Sequence, residues 1–180
     1  MTETLDVVAI GSALLDKQYS VSNLPEPDGG AFASDESVAF GGVAANVAVA
    51  LSRLGRSTGV VVRLGDDDVA DAVANNLREE GITLDHVRRG NQPSTYCMVF
   101  SDSDGERTIV TRSGAAKNLR LTDHDETILR SAKFVFANGY CPDRVTSRLG
   151  ELAANGSIRL AFDLASPLDG LKDRGTERET

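Results

Sequence analysis

The stretch best equipped for chemistry is Phe40-Gly41-Gly42-Val43-Ala44-Ala45-Asn46-Val47-Ala48. Paired glycines ahead of a helix let the backbone approach a ligand closely, and the first amides of that helix point outward without an internal acceptor. Ala44 and Ala45 keep the surface low. Asn46, about one turn in, offers both a donor and an acceptor to a hydroxyl-bearing ligand. The same residues would also serve a tight turn and a small-residue helix pressed onto a sheet, and physics alone leaves both open. Other groups offer less. Asp66-Asp67-Asp68 has the composition of a metal cluster, but acids also stabilise a helix start through its dipole, and no metal is expected. Arg107 and Arg112 are the residue type that anchors an anionic substrate; the plain alternative is a solvated hairpin. His86 and His124 have no partner visible in sequence and are expected to carry no chemistry. Cys97 and Cys141 show neither metal spacing nor a disulfide framework, as expected of two reduced thiols.

The elements that must position these residues follow from periodicity. Leu5 to Ile10 and Thr58 to Val62 read as buried strands. Extended pieces are expected at Lys17–Val21 and Ser37–Phe40, separated by the turn-rich Leu24 to Gly30. A helix runs from Val43 to Leu54, with Gly55 as its stop. Asp66 is expected to cap a second helix through about Glu80, with Val69, Val73 and Leu77 on its inner stripe. Extended segments follow at His86–Arg89, Thr95–Ser101 and Arg107–Arg112, the last two joined by Asp102-Ser103-Asp104-Gly105. Then come a helix from Thr122 to Arg130, a strand Phe134–Ala137, a helix from Pro142 to Ala154 and a strand Ile158–Phe162. Apolar strands alternating with amphipathic helices indicate an α/β fold with a parallel sheet covered on both faces. Segments 17–40 and 86–112 interrupt that alternation and are expected to form a small β lid. The tail Ser166–Thr180 is polar, with no core strand after it.

Bulk properties narrow the function. The chain has 180 residues, 41% of them hydrophobic, and 19 Lys and Arg against 27 Asp and Glu give a formal net charge of −8. That field repels phosphate backbones, so nucleic acid is disfavoured as a partner. No basic n-region or long apolar run is present, so no membrane span or leader is expected and the location is read as cytoplasmic. Asn155-Gly156-Ser157 matches a glycosylation acceptor, which carries no meaning without a secretory signal. A Rossmann dinucleotide site is set aside, because some 30 residues separate the glycines from the first strand.

Gly42, Ala44, Asn46, Ala48, Gly55 and Gly65 fall at the offsets of a known signature across 24 residues. With Val8 to Asp16 (VAIGSALLD), Pro25 with Gly29-Gly30, Ser94-Thr95-Tyr96, Gly105 to Thr108 and Phe134 to Tyr140, the chain resembles the amino-terminal portion of a kinase of the ribokinase (PfkB) family over essentially its whole length. The resemblance implies a ribokinase-like three-layer core with a small β lid, and ATP-dependent phosphorylation of a sugar or nucleoside hydroxyl. It implies that Asp16 accepts hydrogen bonds from two acceptor hydroxyls, a task suited to a carboxylate's two oxygens, and that Gly41, Gly42 and Asn46 close the other side. Tyr96, Met98 and Tyr140 are further residues that could face the pocket. The chain departs from ribokinase where Leu14 replaces Asn, Val43 replaces Lys, and Gly139 or Tyr140 stands in place of a pocket carboxylate. Fewer polar groups put ribose in doubt and make a less polar or larger acceptor plausible.

The family's catalytic Gly-Ala-Gly-Asp motif occurs nowhere in the sequence. It belongs to phosphate handling and to the base that the acceptor hydroxyl needs. The expectation is therefore a chain from which the carboxyl-terminal, nucleotide-binding half is missing, with ATP and Mg²⁺ used by a longer parent protein and no catalytic base here. The alternative is a catalytically silent sugar-binding or dimerisation module. Lid strands with open edges, and the family resemblance, imply a homodimer clasped through the lid.

Overall fold

The computed structural model describes residues 4–165; the tail read from sequence as Ser166–Thr180 lies outside them. Five strands, β1 (Val7–Gly11), β4 (Thr58–Leu64), β5 (Val87–Arg89), β8 (Phe134–Asn138) and β9 (Leu160–Asp163), form one wholly parallel sheet in the order β5-β4-β1-β8-β9. Period-two alternation explains its uninterrupted apolar runs. Ala9, Val60, Val62 and Leu64 face one core, packed on helices α1 (Val43–Arg53) and α2 (Asp68–Glu79). Val8, Ile10, Val61, Val135 and Ala137 face the other, under helices α3 (Asp123–Ser131) and α4 (Asp143–Ala154). Helix–sheet–helix is the expected three-layer core.

A second sheet has the order β3-β2-β6-β7, built from β2 (Leu14–Val21), β3 (Ala33–Gly41), β6 (Tyr96–Ser101) and β7 (Arg107–Arg112). Strands β2 and β6 are parallel, and the two outer pairs are antiparallel. This is the lid, with two corrections to its expected extent. The segment 86–89 belongs instead to the main sheet, where Val87 pairs with Val62 and packs into the first core; its apolar side chain had a buried slot to fill. Strand β2 also begins at Leu14, ahead of the expected Lys17, so that Asp16 lies within a lid strand and not at the end of β1.

Asp67, not Asp66, caps α2. Its backbone is extended there, and its carboxylate accepts from the Ala70 N–H at 3.0 Å. The same carboxylate accepts from the Ser94 N–H at 2.8 Å and the Ser94 hydroxyl at 2.6 Å, while Ser94 Oγ accepts from the Gly65 N–H at 3.0 Å. This knot fixes the chain entering β6, and it leaves no room for a Cβ at Gly65, which would meet the Gln92 carbonyl and the Ser94 amide. Asp125 plays a similar part for α3. Fully buried, it forms a capping box with Thr122 and binds Arg88, and its Oδ1 lies 3.0 Å from His86 Nδ1. His86 is thus not partnerless, and its ring stacks on His124 with centroids 4.6 Å apart. The partner lies 39 residues away in sequence, which is why no local pattern revealed it.

Candidate functional site

The double glycine sits where β3 ends and α1 begins. Gly42 caps the helix at φ +98°, and a Cβ there would run into the Ser12 carbonyl. That carbonyl accepts from the Ala45 N–H at 3.3 Å, which holds the β1–β2 turn against the first turn of α1. Ala44, Ala45 and Ala48 are buried and let the helix lie close to the sheet. Gly41 pairs with Leu14, and the space a Cβ would take at Gly41 is occupied by the carboxylate of Asp16. Asp16 and the Gly41-Gly42 turn are therefore in contact although more than 20 residues separate them. Burial pushes the Asp16 carboxyl above its ordinary range, and the neighbouring Cys97 thiol pulls partly against that.

Strand register sorts the remaining residues into two faces of the lid, since side chains directly opposed across a ladder share a face. Ala39, Asp16, Cys97 and Thr111 form one row. Phe40, Leu15, Tyr96 and Arg112 form a row on the other face, followed by Val38, Lys17, Met98 and Val110. Tyr96 and Met98 thus point away from Asp16, a correction that follows from their odd offset relative to Cys97. Tyr96 instead lies under two cations, with Lys17 Nζ 5.4 Å and Arg112 Cζ 5.7 Å from its ring centroid. Arg112 is accordingly on the wrong face to meet a ligand beside Asp16. Arg107 opposes Ser101, on Asp16's face but four residues further along the strand, about 13 Å away.

Asn46 is exposed on α1, its N–H donating to the Gly42 carbonyl at 2.8 Å. It lines a cavity of about 390 Å³ with Phe40, Ala45, Val49, Ala50, Arg53, Asn76 and Glu80. Asp16 is not among the lining residues, because Phe40 and Asp16 project from opposite faces of the lid. The two residues meet through the glycine turn between them and do not share that cavity. Tyr140, in the loop after β8, is half exposed and donates its hydroxyl to the Ala165 carbonyl at 3.3 Å.

Two polar groups near this turn escaped sequence reading. Cys97, read as one of two reduced thiols, stands opposite Asp16 in the β2–β6 ladder. Asn138 ends β8 fully buried; its Oδ1 accepts from the Tyr140 N–H at 2.8 Å, and its Nδ2 faces Gly11 with no hydrogen-bond partner. The Asn-Gly after an apolar strand was the available signal for Asn138, whereas Cys97 depends on a pairing that sequence does not state. Among the described residues, no group of three or more His, Cys, Asp and Glu side chains is placed to hold a metal ion.

The sequence matches the family model described as pfkB family carbohydrate kinase over residues 4–173. An ATP-dependent ribose-1-phosphate kinase of Halopiger xanaduensis is 30% identical over 160 residues, covering 87% of this chain and 53% of the relative. A 5-dehydro-2-deoxygluconokinase of Clostridium tetani is 28% identical over 169 residues, covering 89% of this chain and 49% of the relative. The structure of Arabidopsis thaliana ribokinase complexed with ribose and ATP superimposes with a TM-score of 0.81 at 27% identity, covering 92% of this chain and 55% of that one. The chain spans about half the length of the relatives it matches.

Proposed function

The chain belongs to the pfkB family of carbohydrate kinases, and from that premise we propose that it supplies the acceptor-binding part and the lid of an ATP-dependent kinase acting on a sugar or nucleoside hydroxyl. The observation that carries this reading is the half-buried carboxylate of Asp16 set directly against the Gly41-Gly42 turn at the amino end of α1. A carboxylate there accepts from two neighbouring hydroxyls, and the bare turn lets a sugar ring come close. Buried Leu14 and half-buried Val43 give little polar surface, which favours an acceptor with fewer hydroxyls to satisfy, or a larger one. Neither Arg107 nor Arg112 stands beside Asp16, which favours an uncharged acceptor over a phosphorylated or acidic one.

ATP and Mg²⁺ belong to the same reading, since the reaction needs both. The residues of this chain do not fit them. The described part gathers no carboxylate set for a divalent cation, and the sequence has no Gly-Ala-Gly-Asp run to cradle phosphate or act as base. No catalytic step is therefore drawn through this chain. Its role is to bind and orient the acceptor, and the transfer itself is assigned to the longer enzyme. Calorimetric titration of the 180-residue chain with ribose, fructose, adenosine and ribose 1-phosphate tests the reading. Binding of at least one, abolished in Asp16→Ala, is expected; no heat with any of them is the result that would sink it. ATP-dependent turnover by the 180-residue chain itself would overturn the division of labour.

A further inference from the structure

We propose that Cys97 is a positioning residue for Asp16: its thiol donates to the Asp16 carboxylate and, held in turn by the Thr111 hydroxyl, fixes the direction in which that carboxylate meets the acceptor. The inference rests on the reading of Asp16 as the acceptor's carboxylate, but its test needs no acceptor.

The row Ala39, Asp16, Cys97, Thr111 runs straight across the lid on one face. Ala39 brings only a methyl group to Asp16, and Gly41, next along that face of β3, has no side chain. Gln18, two residues on, is turned towards Ser37, whose hydroxyl donates to its Oε1 at 3.3 Å. The side chain left to orient the carboxylate within the row is Cys97, which is buried and stands directly opposite Asp16 in the β2–β6 ladder. Its Sγ lies 3.3 Å from Thr111 Oγ1. The direction of the chain of bonds follows from chemistry. An ionised carboxylate only accepts, so the thiol donates to Asp16; the sulfur then accepts, and the Thr111 hydroxyl donates to it. Burial pushes the Cys97 thiol up, and the neighbouring Asp16 charge pushes the same way, so the thiol keeps its proton near neutrality and remains a donor. A thiol is a weak donor. Here it orients the carboxylate and leaves both oxygens with lone pairs for the acceptor.

The test follows the carboxyl-carbon resonance of Asp16 through a pH titration of the full 180-residue chain, in wild type, Cys97→Val, Cys97→Ser and Thr111→Val. Val matches the thiol's volume but removes the donor, so the Asp16 midpoint should move to higher pH. Ser keeps a donor and should restore the wild-type midpoint. Thr111→Val, on an exposed edge strand, should move it in the same direction by less. Acceptor affinity in the same proteins should fall about two- to tenfold in Cys97→Val and recover in Cys97→Ser. An unmoved midpoint in Cys97→Val, or an equal move in Cys97→Ser, overturns the proposal. Should Cys97→Val fail to fold, an unmoved midpoint in Thr111→Val overturns it instead. A moved midpoint with an Asp16 resonance that ignores every added sugar would uphold the thiol–carboxylate pair and overturn the acceptor reading.

Discussion

Asp16 is held at a cost to the fold. Its carboxyl is pushed above the ordinary value of 3.8 by burial, so the ionised form is the one the folded state accommodates less well. For a group raised in this way, its contribution to stability is fully present below the unfolded value and lost as pH rises through the folded one. Asp16→Asn should therefore melt at a higher temperature than wild type at neutral pH, with the gain vanishing below about pH 4; melting curves across pH measure this. Equal melting temperatures at neutral pH would mean that the carboxylate is not strained. The same residue should matter most to the acceptor. In a longer enzyme containing this chain, Asp16→Ala should remove a charge-assisted hydrogen bond of about 1.5–3 kcal/mol, weakening acceptor affinity by about one to two decades, with ATP affinity barely moved. Both outcomes together would mark Asp16 as a functional residue held at a cost to stability.

At the scale of elements, polar knots set the positions of the strands. Asp125 links α3 to the approach and start of β5 through Thr122, His86 and Arg88. Burial alone would raise its pKa, but the Arg88 guanidinium and the Thr122 and His86 hydrogen bonds outweigh it and hold the carboxyl below its usual range. Its stabilising contribution is therefore present above the ordinary carboxylate value and lost as pH falls through the folded value beneath it. Asp125→Ala leaves Arg88 without its carboxylate and should cost about 3 kcal/mol in denaturant unfolding. A loss under about 1 kcal/mol would show that solvent replaces the pair. The Asp67–Ser94–Gly65 knot does for the lid what Asp125 does for the sheet edge. It ties the start of β6 to the cap of α2, and that placement sets which lid residues share a face with Asp16.

For the whole molecule, the lid is the part with unfinished surface. Among the described residues both outer strands, β3 and β7, have a free edge, and Val38 and Val110 are 55% and 47% exposed on the face away from Asp16. Phe40 joins them at the end of β3. We read this row as the contact with a second copy of the chain, since open strand edges flanked by apolar side chains favour pairing. Val110→Glu should then halve the mass seen in light scattering at high protein concentration, with Asp16 and its acceptor unaffected. A wild-type chain that stays monomeric at that concentration would remove the dimer from the reading. Among the described residues, no helix is long and apolar enough to cross a membrane.

Local chemistry written along the chain settled much of this in advance. Apolar runs of β-branched residues alternating with striped helices can satisfy themselves only as a covered parallel sheet, so the three-layer core was legible. Gly42 was legible because paired glycines ahead of a helix mark a close backbone approach, and the spacing from Gly42 to Gly65 pointed to the family. Strand register was not legible. A shift of one residue turns every side chain to the other face, and the β2–β6 pairing joins segments about 80 residues apart. Only the folded lid could decide that Cys97, and not Tyr96 or Met98, shares a face with Asp16. Segment 86–89 was misplaced for a related reason: three residues of weak strand character join whichever sheet offers Val87 a buried slot. Sequence determined which residues could do chemistry, and long-range pairing decided which of them stand together.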